Sequence, residues 1–295
     1  EKMSALSHAA QAFYGAPTML AVAGTQAAIQ ALPRLRWLNH GASRVVVAAP
    51  SYAEHAHQWR QYPYQLHQQN QVQECRYDQL GAAVATADVM VVCNPNNPTG
   101  ETIAAQTLLD WAAQLAARGG WLIVDEAFGD TASELSVASS TAQPGLIVLR
   151  SVGKFFGLAG LRLGFVAAHA DLLLALENML GPWTISGPAQ TIACTALHDA
   201  AWQADTRRAL QQQGARLQSL LQEHGFSSSG TALFQWCSDA ALQGKTEQLW
   251  QHLAEQGIWV RLFREAARGL RFGLPPDEAG WQKLTSVLRL WTQKT

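Results

Sequence analysis

Cysteine is scarce and scattered: Cys75, Cys93, Cys194 and Cys237 lie far apart, with no CxxC pair among them. That argues against a disulfide framework and against a structural zinc site, and it fits a reducing cytoplasm. An excess of charge of either sign is also missing, since 21 Lys and Arg against 22 Asp and Glu leave a formal net charge of −1. With no basic surplus there is no general attraction for nucleic acid or an anionic membrane surface, and a small-molecule substrate is favoured. No apolar run approaches the roughly 20 residues that span a bilayer. Internal repeats and long linkers are absent. The mildly Gln-rich stretch from Gln58 to Gln73 keeps its aromatics and reads as a strand and loops rather than disorder. No signal peptide is visible, and because the chain opens at Glu1 without an initiator Met, an upstream segment is expected.

What remains is a globular composition, 48% hydrophobic over 295 residues, enough for two domains or one large one. Residues 3–14 carry Met3, Leu6, Ala10 and Phe13 at helical spacing and stop at Gly15 and Pro17. MLAV (19–22), RVVVAAP (44–50), VMVVCN (89–94), WLIVD (121–125) and LIVLRS (146–151) are short apolar runs alternating with helical patterns. Such runs predict a mostly parallel sheet covered on both faces by helices. In the helix after MLAV, Thr25 is the expected N-cap, and Pro33 is expected to kink or shorten it. A further helix is predicted over 103–117, with Leu108, Trp111, Ala112 and Leu115 inward. After residue 168 the pattern changes. One long helix is predicted from Pro188 to about Glu223, then strands at ALFQW (232–236) and LRFGL (270–274) and a closing helix from Asp277 to Trp291. The division expected is a large domain over 1–187 and a linking helix with a small C-terminal α+β domain over 188–295.

The stretch SVGKFFGLAGLRLGF (151–165) holds Lys154 between Ser151 and Arg162, with four glycines threaded through it. A loop this apolar, set between two apolar runs, predicts a partly buried amine that can act as a nucleophile. A lone lysine is more often a solvated surface group, so the weight falls on its company. In doubly wound sheets ligands sit at the carboxyl ends of the strands. Here those ends carry Gly24 and Thr25, Pro50 to Tyr52, Asn97 in PNNPTG, Asp125, and Ser151 with Lys154.

Taken together, Lys154, Arg162 eight residues on, PNNPTG and an Asp closing an apolar strand between them resemble the fold-type I pyridoxal-phosphate enzymes of the aspartate aminotransferase class. The resemblance covers essentially the whole chain. It implies a seven-stranded, mostly parallel sheet between helices, a small C-terminal domain, pyridoxal 5'-phosphate as cofactor and a homodimer. It also implies roles for individual residues. Lys154 would form the Schiff base and move protons at the substrate Cα. Asp125 would pair with the pyridinium nitrogen, Asn97 with the ring's phenolic oxygen, and Tyr52 would stack on the ring. Arg162, Ser151 and the backbone N–H groups of Gly24, Thr25 and Gln26 would hold the cofactor phosphate at a helix start. Arg271 in GLRFGLP, with Asn97, would bind the substrate, the arginine forking onto the α-carboxylate.

The chain departs from the class in two places: Phe128 stands where a tyrosine is usual, and Gly153 stands where a serine often precedes the lysine. The wording AGTQAAIQALPRL, DEAFGD, GKFFGLAGLRLGF and GLRFGLP is most similar to the threonine-phosphate decarboxylase branch of cobalamin biosynthesis, near relatives of the histidinol-phosphate aminotransferases. That branch implies a small phosphorylated amino acid as substrate, with an N-terminal arm reaching toward the neighbouring subunit's site. Decarboxylation and transamination differ in which Cα bond is aligned, so an aminotransferase stays open at the level of sequence, as does, more remotely, a non-catalytic protein of the same fold.

Overall fold

The apolar runs predicted as strands all pair. The structure, a computed structural model, describes residues 2–63, 69–265 and 267–294; the side chains of residues 2–4 and 294 lie outside that description. The chain divides into two compact units, Glu1–Asn96 with Thr102–Ala201, and Asn97–Glu101 with Trp202–Thr295.

The larger unit runs α1 (Lys2–Tyr14), β1 (Met19–Val22), α2 (Thr25–His40), β2 (Arg44–Ala49), α3 (Ala53–Gln61), β3 (Gln71–Arg76), α4 (Leu80–Ala83), β4 (Val89–Cys93), α5 (Ala105–Ala116), β5 (Trp121–Asp125), β6 (Leu146–Ser151), β7 (Gly164–Ala167), α6 (Ala170–Leu180) and α7 (Gly187–His198). Its seven strands lie in the order β1-β7-β6-β5-β4-β2-β3. The pairings from β3 through β6 are parallel, and β7 runs antiparallel to both β6 and β1. The carboxyl ends of β1, β2, β4, β5 and β6 therefore share one rim with the start of β7. Alternate strand residues face opposite layers. Val45, Val47, Val89, Val91, Ile123, Ile147 and Leu149 join Ile29, Leu32, Leu35 and Trp59 in one core. Val46, Met90, Leu122 and Val148 are buried in between.

Several expectations need correcting. The N-cap of α2 is Gly24, at φ 75°, with Thr25 already the first helical residue. Glycine reaches that left-handed turn without cost, so the helix starts one residue early. Pro33 does not shorten α2, which runs 16 residues through it. The missing N–H removes a single bond, while Ala28, Ile29, Leu32 and Leu35 pack the helix onto the sheet. Trp111 is only half-buried. The helix predicted over 188–223 is two helices, because Asp199 breaks it at ψ 73°. There the His198 ring bonds the Cys194 carbonyl at 2.7 Å and closes the end of α7 without glycine or proline. Within Gln58–Gln73, the first residues finish α3 and the strand begins only at Gln71; residues 64–68 lie outside the described residues.

The smaller unit contains α8 (Ala200–Glu223), β8 (Ser229–Thr231), β9 (Phe234–Ser238), α9 (Thr246–Glu255), β10 (Arg261–Phe263), β11 (Gly269–Gly273) and α10 (Glu278–Lys294). Its antiparallel sheet has the order β10-β11-β9-β8. Leu217 and Leu221, Leu249 and Leu253, and Trp281, Leu284 and Leu288 close one core over Leu270 and Phe272. The loop Asn97–Glu101 belongs to this unit by its contacts: Ser229 Oγ donates to the Thr99 carbonyl at 2.6 Å. Gly100, at φ 73°, lies so near Gly230 that a Cβ on it would come within 2.4 Å of the Gly230 Cα. PNNPTG thus owes its last glycine to close backbone packing.

Candidate active site

At one end of the rim backbone packs closely around the Arg162 guanidinium. Gly164 stands opposite Val22 on one side and Ser151 on the other. A Cβ at Gly164 would sit 2.8 Å from the Thr25 nitrogen and 3.0 Å from the Arg150 carbonyl, so only glycine lets the start of α2 lie against β7. Arg162 adopts the left-handed conformation, φ 52° and ψ 49°. Its guanidinium occupies the space that a side chain on Gly24 would need, with Nη2 2.7 Å from that Cβ position. Arg162 Nη1 also donates to the Ala159 carbonyl at 3.3 Å. Ser151 Oγ accepts the Gly153 N–H at 3.2 Å.

Of the three expected backbone donors, Gly24 drops out, because its N–H is spent on the Val22 carbonyl at 2.7 Å. Thr25 and Gln26 hold first-turn N–H groups that a helix cannot satisfy itself. They lie at the positive end of α2, beside a guanidinium.

Along the same rim, Asp125 closes β5, with Cys93 opposite it at the end of β4. The residue is 5% exposed. Oδ1 accepts the Ala127 N–H at 3.0 Å and Oδ2 lies 2.9 Å from His55 Nε2. The sequence reading missed His55. The signal available was its spacing, one turn of α3 beyond Tyr52, which turns both side chains to the same side. Burial works against the imidazolium, but the hydrogen bonds and charge supplied by Asp125 and Cys93 outweigh it and raise His55 to about 10.

His55 therefore stays protonated at neutral pH, with its ring held against the Asp125 carboxylate. Since its pKa is raised on folding, the pair's contribution to stability is complete below the ordinary imidazole value of 6.5 and is lost as pH climbs toward about 10. Urea unfolding of wild type and His55→Phe is expected to differ most below pH 6.5 and to converge at alkaline pH.

Tyr52 begins α3 with its ring 5.9 Å from that of His55 and nearly perpendicular to it. It remains 40% exposed, and its hydroxyl donates to Gln26 Oε1 at 3.4 Å. Gln26 in turn donates to Glu54 at 2.8 Å. An aromatic face is thus left open above the rim.

Lys154 follows β6 on a turn, and here the structure corrects the sequence: the side chain is exposed, not partly buried. At the edge of a layered sheet a turn residue projects away from the core, and the Phe128 ring lies 5.3 Å from Nζ. Phe128 thus abuts the lysine with a face and no hydroxyl. The Gly153 departure also has a physical reason. A Cβ there would meet the Ala159 Cα at 3.2 Å and Ser151 Oγ at 3.4 Å.

The two remaining predicted residues lie together in the smaller unit. Arg271 on β11 donates from Nη1 to Asn97 Oδ1. Its guanidinium lies 5.1 Å from the Phe234 ring and 5.9 Å from that of Phe263. Burial, and then Arg261 nearby, push its pKa down. Arg261 stands directly across from Arg271 in the β10–β11 register and rests 5.6 Å from the same Phe263. Sequence reading did not single out Arg261. Its signal is a second arginine on a neighbouring antiparallel strand, visible only once the register is known.

The donor set of the larger unit fits a phosphorylated pyridine aldehyde: an anion cradle that a Cβ would fill, a fixed buried carboxylate, an open aromatic face and a primary amine. The comparisons agree. The model of the family "Aminotransferase class I and II" matches residues 3–277, and the chain belongs to that family. Over 289 residues it is 45% identical to the threonine-phosphate decarboxylase of Pseudomonas aeruginosa, covering 98% of this chain and 83% of that one. It is 40% identical to the threonine-phosphate decarboxylase of a Sinorhizobium species, covering 91% and 76%. The histidinol-phosphate aminotransferase of Clostridium acetobutylicum has the same fold, with a TM-score of 0.85 at 18% identity over 99% of this chain and 90% of that one.

Proposed function

We propose that the chain converts L-threonine O-3-phosphate to (R)-1-amino-2-propanol O-2-phosphate and CO2, a step of cobalamin biosynthesis, with pyridoxal 5'-phosphate held by Lys154. The reading rests on the 45% identity that runs through 98% of the chain. Bound there, the cofactor supplies an electron sink for the pair left at Cα when CO2 departs. Lys154 is the amine that would hold the cofactor aldehyde and that would return a proton to Cα. Asp125, held in place by His55, would accept the pyridine N–H and so keep that nitrogen protonated. Ser151, Arg162 and the Thr25 and Gln26 N–H groups hold the cofactor phosphate, while Tyr52 covers a face of the ring. Arg271 forks onto the substrate α-carboxylate, with Asn97 as its partner and the ring's phenolic oxygen as a further expected contact of Asn97.

Gly24→Ala is expected to weaken cofactor binding by about tenfold or more. The new side chain meets Arg162 and forces a non-glycine residue into the left-handed region, at about 1–3 kcal/mol. Titration of apoprotein with pyridoxal phosphate, followed by fluorescence, measures this.

The function itself is tested by paired substrate assays. With O-phospho-L-threonine, release of CO2 and appearance of the aminopropanol phosphate without any keto acid consumed is the expected result. Glutamate formation from histidinol phosphate and 2-oxoglutarate would instead make the chain an aminotransferase. No described helix is long and apolar enough to cross a membrane, and the working form proposed is a cytoplasmic homodimer. Light scattering that gives a monomer at assay concentration would count against the dimer.

A further inference from the structure

Behind the rim, away from the reacting groups, lies a buried charge cluster that the chemistry above does not use. Arg150 sits on β6, directly opposite Phe165 of β7. Its guanidinium donates from Nη1 to Glu126 Oε2 and from Nη2 to Asp130 Oδ1 at 2.5 Å. All three side chains are within a few per cent of complete burial. Glu126 is fixed further by Ser136 Oγ at 2.6 Å and the Val137 N–H at 2.9 Å. The turn between the two acids wraps the guanidinium closely, so that a Cβ on Gly129 would come within 3.0 Å of Nη1. On its other side the guanidinium lies 4.4 Å from the ring of Tyr14, the last residue of α1.

This places one cation between two catalytic turns. Glu126 and Asp130 bracket the turn that begins at Asp125 and carries Phe128. Arg150 itself is four residues before Lys154 on a continuous strand and turn. The same helix end grips the lysine side as well: Phe13 packs 5.4 Å from Phe156, which packs 5.0 Å from Phe155, the residue after Lys154. Tyr14 also packs 5.9 Å from Phe165.

We propose that Arg150 is a positioning residue: its fork ties the Asp125–Asp130 turn to the strand that delivers Lys154, and Tyr14 of α1 is the floor that holds the fork in place. The inference rests on the reading that Lys154 and Asp125 hold the pyridoxal cofactor. A guanidinium is needed because its rigid plane bonds two separated carboxylates at once; an ammonium is a point charge that satisfies one geometry. Two buried acids around one cation tolerate neither its loss nor a poor substitute. A shift of about 1 Å between catalytic groups costs up to ~100-fold in rate, so a slack fork reads out at Lys154 although Arg150 touches no reactant.

The test compares wild type, Arg150→Lys, Tyr14→Leu and Leu176→Ala, the last a buried control in α6 that contacts none of these groups. Three quantities are measured on each: urea stability, affinity of the apoprotein for pyridoxal phosphate, and the midpoint of the pH titration of the bound cofactor's visible absorbance. Arg150→Lys is expected to lower affinity about tenfold or more and to displace the spectral midpoint. Tyr14→Leu should move both in the same direction by less, and Leu176→Ala should lose stability with both unchanged. Cofactor affinity and midpoint in Arg150→Lys that follow stability along the same line as Leu176→Ala would overturn the proposal. If Arg150→Lys does not fold, Tyr14→Leu decides between the same two outcomes. A wild-type protein that takes up no pyridoxal phosphate would instead refute the cofactor reading itself, a result distinct from either.

Discussion

Lys154→Ala is expected to lose at least ~10⁴-fold in decarboxylation rate while keeping its fold. In the proposed roles two functions go at once: the covalent anchor that would place the cofactor and the proton that Cα would need, the second alone contributing typically 10²–10⁴-fold. Because Lys154 is exposed, its removal leaves no buried charge and no large cavity. Urea stability within about 0.5 kcal/mol of wild type, with activity gone and no borohydride-sensitive visible absorbance, is the expected combination. A rate that recovers in part with added small primary amines would fit the same role.

Asp125→Ala should differ in kind, since it damages stability as well as chemistry. Its carboxylate balances His55, which is buried to 2% exposure with its proton retained. Removing one member of such a pair strands the other, at about 3–5 kcal/mol. Activity falls as well, on the order of 10²–10³-fold or more, as when a fixed charge aimed at a developing charge is lost. Asp125→Asn keeps the shape and some of the hydrogen bonding, so it separates the two effects: most of the stability returns and most of the rate does not. The comparison requires urea unfolding and steady-state rates on the same preparations. Equal rates for Asp125→Asn and wild type would remove Asp125 from the chemistry.

The candidates at this rim are legible in the sequence. Strands buried on both faces are continuous apolar runs, so the residue that ends each run falls on the rim where a doubly wound sheet binds its ligand. Asp125, Ser151, Lys154, Gly24 and Tyr52 become candidates that way. What escaped depends on register and direction rather than composition. His55 is one of nine histidines and gains meaning only when α3 lays it against the end of β5. Arg150 reads as an odd charge in an apolar strand until the turn after β5 is seen to close on it. Arg261 is marked only by its pairing with Arg271. The exposure of Lys154 was misjudged because an apolar, glycine-rich neighbourhood describes the chain around a residue and not the direction of its side chain. In the same way Thr25 looked like a helix cap because its hydroxyl suits one, whereas the left-handed turn at Gly24 does the work.

The central claim is that this rim holds a pyridoxal cofactor on one particular lysine. Borohydride reduction of the purified, cofactor-loaded protein, followed by proteolysis and mass spectrometry of the peptides, tests it directly. The account predicts a single pyridoxyl-phosphate adduct, on the peptide containing Lys154, and its loss when O-phospho-L-threonine is present in excess before reduction. An adduct on Lys245 or Lys283, or none on any peptide, would contradict it.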